Sequence, residues 1–97
     1  MLLQHHALRY FLVVRILERG GVATVAELVD DLAAEGFGVH GRPSRTVSDA
    51  FRGERRRGRI VRLDRGRYGI GRLPKATKHR MVHRVAELRS RIAHGSA

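Results

Sequence analysis

Cysteine is absent from this chain of 97 residues. That excludes disulfides, a thiolate nucleophile and any zinc site built on Cys, and it suits a reducing compartment. Long hydrophobic runs are absent too. The apolar stretches last a few residues, far short of the roughly 20 needed to span a bilayer. The N-terminus has no basic region ahead of an apolar one, so no signal peptide is expected. Acidic residues are scarce: 9 Asp and Glu stand against 20 Lys and Arg, a formal charge of +11. The length suits one small domain and is too short for most catalytic α/β scaffolds, so an enzyme is not expected. The 42% apolar content still allows a packed core, so the charge does not imply disorder.

The charge is concentrated in the second half. Up to residue 41 three arginines face five acids; from residue 42 onward 17 basic residues face four. A strongly basic half on a small domain is the electrostatic footprint of a polyanion binder. Arginine outnumbers lysine 18 to 2. Its planar fork suits phosphate and guanine edges better than an ammonium does.

Periodicity divides the chain into short elements. A helix is expected over Gln4–Arg19, apolar on nearly every side apart from Arg9 and Arg15, and such a helix is buried on more than one face. Gly20-Gly21 ends it. Thr24-Val25-Ala26-Glu27 has the form of a capping box, and the helix it opens stops at Gly36. A third helix starts near Pro43, with Val47, Ala50 and Phe51 facing inward and Arg45, Asp49, Arg52 and Arg56 facing outward. Gly58 ends it. Arg59–Leu63 and Arg67–Ile70 then read as a hairpin turning at Asp64-Arg65-Gly66. After Leu73-Pro74, Thr77 is the expected cap of a last helix running to about Ala93. The expected fold class is mainly α with a small β-hairpin (α+β). The expected organisation is one domain over residues 1–73, a separate helix over 74–94 and a disordered tail over 95–97.

Helix, capped helix, helix and basic hairpin, in this order, resemble the winged helix-turn-helix family over about Leu8 to Ile70. The residues that carry the resemblance are Thr24-Val-Ala-Glu-Leu28, Ser44-Arg-Thr-Val-Ser-Asp-Ala-Phe51, and Gly58-Arg-Ile-Val-Arg-Leu63 with Gly66-Arg-Tyr-Gly-Ile70. The resemblance implies a DNA-binding protein whose third helix enters the major groove while the hairpin touches phosphate or the minor groove. Two features depart from the simplest members. The connection between the second and third helices is long, and Asp49 places a negative charge on the face that would read DNA.

On that reading Ser44, Arg45, Ser48 and Arg52 face base edges and Thr46 meets phosphate. Arg55 and Arg56, in the run ending at Arg57, supply phosphate contacts, and Arg62, Arg65 and Arg67 at the hairpin meet phosphate or enter the minor groove. The bland alternatives are a solvated helix face with an Arg45–Asp49 pair and a hairpin edge protected by charge. Tyr68 shares a face with Ile70 and is expected in the core. His79 and His83 have a metal-compatible i, i+4 spacing but no third ligand in sequence, so no metal, cofactor or small-molecule ligand is expected. Met81, Val85, Leu88 and Ile92 repeat at 4, 3, 4. They can fold back on the first helix or pair with a second copy, and a homodimer is the expectation. The sum is a small cytoplasmic, nucleoid-associated regulator that binds double-stranded DNA. A sequence-indifferent nucleoid-type binder and a protein-interaction or antitoxin-like module are the alternatives.

Overall fold

A computed structural model describes residues 1–95. It is an α+β fold of four helices and a small antiparallel three-stranded sheet. In chain order the elements are β1 (Leu2–Leu3), α1 (His5–Glu18), β2 (Val22–Thr24), α2 (Val25–Ala34), β3 (Gly38–Val39), α3 (Pro43–Arg56), β4 (Ile60–Asp64), β5 (Arg67–Ile70) and α4 (Lys75–Gly95).

The local signals that ended or started helices behave as side-chain chemistry requires. Thr24 accepts from the Glu27 amide at 3.0 Å while the Glu27 carboxylate accepts from the Thr24 amide at 2.8 Å. That reciprocal pair satisfies two otherwise orphaned donors. Pro43 occupies the first turn of α3, and no side chain caps that helix. Thr77 is not the cap of α4: the helix begins at Lys75, directly after Pro74, and Thr77 lies inside its first turn.

The hairpin is not free-standing. β2 pairs antiparallel with β5, placing Ala23 opposite Tyr68, and gives the strand order β2-β5-β4. The Val25 amide also donates to the Gly66 carbonyl at 3.0 Å, tying the hairpin tip to the start of α2. Gly66 supplies the positive φ (71°) that the turn needs. β1 and β3 add a two-residue parallel pair that holds the N-terminal residues against the α2–α3 connection. These three short strands escape periodicity, which needs several residues to register.

One core serves the whole chain. Phe11, Leu12, Val13 and Ile16 of α1 are fully enclosed, as expected of a helix apolar all round. One side meets Phe37, Val47 and Phe51, and α4 packs along α1. Phe51 lies against Tyr68, ring centroids 4.4 Å apart, which places Tyr68 in the core.

The stripe on α4 corrects an expectation. Met81, Val85 and Leu88 are buried within the chain, Ile92 is half-buried against the α2 terminus near Gly36, and all four belong to the same core as α1. The surplus apolar face of α1 is covered by the chain's own last helix, so this stripe is not left open for a second subunit. The helix over 74–94 is therefore an integral layer of the fold and not an appended element. Of the expected tail, Gly95 closes α4 and residues 96–97 lie outside the described residues.

Candidate nucleic-acid interface

α3 divides its residues by face. Val47 and Phe51 point into the core, and Glu54, one turn further along the same stripe, is also completely buried. Arg59 holds it, donating from Nε at 2.6 Å and Nη2 at 2.8 Å. Arg9 of α1 approaches the same carboxylate at 3.6 Å. A buried carboxylate needs such partners, since an unpaired charge in the interior costs several kcal/mol, on the order of 3–5. Glu54 also raises the Arg59 pKa, chiefly through the side-chain hydrogen bond. This cluster fixes the junction between α3 and β4, which Gly58 turns, and so sets how the hairpin stands against the helix.

Arg45, Arg52, Arg55, Arg56 and Arg57 on α3 and its end are exposed, as are Arg62, Arg65 and Arg67 on the hairpin. Within 4.0 Å, among the described residues, only Arg52 of these eight finds a carboxylate. Its partner is Asp49, 3.5 Å away and one turn earlier, so the acid on the outer side of α3 is matched locally, while Asp64 on the hairpin accepts from the Arg65 amide at 3.1 Å. Ser44 and Ser48 are exposed, but the Ser48 hydroxyl donates to the Ser44 carbonyl at 2.9 Å. Thr46 departs from its expected role. It is half-buried and its hydroxyl donates to the His40 carbonyl at 2.5 Å, so its proton ties the α2–α3 connection to the helix and cannot also go to a phosphate.

Glu18, Glu27, Asp31 and Glu35 are held by other arginines. Arg19 forks onto Asp31 and reaches Glu27, and Arg15 bridges Asp31 and Glu18. Arg89 of α4 holds Glu18 at 2.8 Å and Glu35 at 2.6 Å while lying over the Phe11 ring at 5.6 Å. These bonds lower the Glu18 pKa, first through the hydrogen bond from Arg89, and that of Asp31, first through the one from Arg19. Arg89 thus carries a positive charge from the basic half to Glu18 and Glu35, and the basic residues left without a carboxylate within 4.0 Å, among the described residues, are seven arginines of α3, its end and the hairpin together with Arg42, Arg72, Lys75, Lys78, Arg80 and Arg91.

No family model, curated protein or solved structure matches the chain. Among the described residues no three His, Asp or Glu side chains converge on a metal site, and no helix is long and apolar enough to cross a membrane. His79 and His83 stack at 6.5 Å between ring centroids on α4, with Glu87 at 4.0 Å from His83 as the nearest acid.

Three residues central to this region escaped the sequence reading. Glu54 could have been found, because it continues the inward spacing of Val47 and Phe51, where a charge demands a buried partner. Arg59 and Arg9 could not, since each reaches Glu54 only through the turn at Gly58 and the packing of α1 on α3.

Proposed function

We propose that this chain is a winged-helix DNA-binding module that presents α3 to the major groove, with the β4–β5 hairpin on phosphate or in the adjacent minor groove. The observation that carries the reading is the density of unpaired charge: among the described residues seven exposed arginines on α3, its end and the hairpin have no carboxylate partner, while Glu18, Glu27, Asp31 and Glu35 are each held by an arginine. A surface left this positive gains most from a polyanion, whose condensed counterions are released on contact. On this reading Arg45 and Arg52, both exposed on α3, make bidentate contacts with guanine. Asp49 beside them accepts hydrogen bonds and suits the amino group of cytosine, so it adds discrimination where it otherwise only repels phosphate. The order of helices and hairpin supports the module; the arginines support its ligand. A role in transcription regulation belongs to the same proposal.

The test is duplex affinity as a function of salt. Each neutralised phosphate contributes a slope of about −0.9 in log K against log salt, so six contacts give about −5. Absence of binding at low salt, or a slope near zero, overturns the nucleic-acid reading in favour of a protein-interaction module.

A further inference from the structure

A cavity of about 450 Å³ opens between the start of α1 and the flank of α3, within the range of roughly 300–1,000 Å³ usual for small-molecule sites. We propose that it binds a small organic anion, a carboxylate or phosphate monoester carried on an apolar skeleton. Leu3, Leu8 and Ala50 give it apolar wall, and Arg9 and Arg56 give it positive charge. His5, His40 and Asp49 complete its titratable lining, with Asp49 engaged by Arg52 on the outer side.

Arg9 is the anchor. Glu54 is already held by both arms of Arg59, so the approach of Arg9 leaves the group of three with one positive charge in excess. Arg9 Nη2 meets His6 Nδ1 at 3.1 Å, whereas Nη1 has no acceptor among the described residues. That nitrogen lies beside Gly53, where a Cβ would come within 2.6 Å of it. A glycine in the middle of a helix costs about 1 kcal/mol against alanine, and here its bareness keeps room for the guanidinium at the cavity wall. A largely buried cation with a free donor, facing a space that has apolar walls, is complementary to an amphipathic anion. His5, in the same lining, has a φ of +26°, a conformation uncommon for a residue with a side chain.

The site would also bear on α3. Asp49 and Arg56 belong both to the cavity lining and to the outward side of that helix, so an anion drawn to Arg56 competes with DNA for it. This coupling rests on the function proposed above. Anion binding itself is measured without DNA, so the two readings fail separately.

The experiment is amide NMR of the full chain titrated with benzoate, hexanoate and phenyl phosphate, with inorganic phosphate as the anion lacking an apolar part. Saturable shifts at Arg9, His40 and Gly53 are expected from at least one organic acid, and weaker ones from inorganic phosphate. Arg9→Gln, in which Arg59 still holds Glu54, should weaken binding about tenfold or more. Gly53→Ala, which displaces the same guanidinium, should do likewise. Lys78→Gln, an equal loss of charge at an exposed position of α4, should leave it unchanged. The proposal falls if no organic acid moves these amides, if Arg9→Gln and Lys78→Gln weaken binding alike, or if only a DNA duplex produces the shifts. A second titration, of DNA against the acid-saturated protein, should show reduced affinity; unchanged DNA affinity overturns the coupling while leaving the site.

Discussion

The guanidinium of Arg9 takes up the space that a side chain at Gly53 would need, with Nη1 at 2.6 Å from the position of an added Cβ. Two helices far apart in sequence are thereby matched at one point: a long cation on α1 and a missing side chain on α3. Helix propensity alone favours alanine at position 53 by about 1 kcal/mol. Gly53→Ala should realise that gain in an Arg9→Ala background and only a fraction of it in the parent, where Arg9 must move aside. A double-mutant cycle from urea unfolding measures the difference. Equal gains in both backgrounds would show that Arg9 does not occupy that space.

Arg59 is expected to matter more for folding than any arginine of the outer face. Arg59→Gln leaves Glu54 buried with only the longer Arg9 contact, and should cost about 3 kcal/mol of unfolding free energy. Arg65→Gln, exposed at the turn, should change stability by less than about 0.5 kcal/mol. Comparable losses in the two variants would contradict the burial of Glu54.

Base contacts specify and phosphate contacts position. Arg45→Ala and Arg52→Ala should therefore reduce preference for a selected duplex over a random one, while Arg65→Ala should weaken binding to both more evenly. Competition between the two duplexes, at fixed salt, separates these effects. If all three variants lose the same amount on each duplex, α3 does not read sequence and the binder is of the sequence-indifferent kind.

Leu88 is buried against α1, so its truncation should act on the fold. Leu88→Ala is expected to cost about 2–5 kcal/mol in unfolding free energy, as for other large-to-small core changes. Protein concentration should not alter that loss. A loss that tracks dissociation in sedimentation instead would return the stripe to a subunit interface.

Acid should loosen the α1–α2–α4 contact. Hydrogen bonds from Arg89 and Arg19 hold the carboxyls of Glu18 and Asp31 below their ordinary values, and the Thr24 backbone does the same for Glu27. A carboxylate whose folded pKa is depressed contributes stability that is complete above its unfolded value, near 4, and is lost as pH falls through the folded one. Unfolding free energy should thus be level from neutrality to about pH 5 and decline below about pH 4. Asp31→Asn should flatten part of that decline; an unchanged acid limb would mean that the Asp31 bonds contribute nothing.

Several elements were determined by local sequence. The capping box at Thr24, the proline opening α3, the glycine in the hairpin turn and the inward stripe of Val47 and Phe51 each act within a few residues, so a linear reading finds them. The excess of arginine from residue 42 onward was equally plain. The tertiary structure decided which charges remain available. Thr46 looked free for phosphate until the fold brought His40 to its hydroxyl, and Arg9 looked like an interruption of an apolar helix until α3 placed Glu54 and Gly53 beside it. The 4, 3, 4 spacing of Met81, Val85, Leu88 and Ile92 required an apolar partner and did not name one. A stripe records only that water is excluded. Whether α1 of the same chain or another copy excludes it depends on the path through Leu73-Pro74, which turns α4 back onto the face of α1 that the remaining helices leave uncovered.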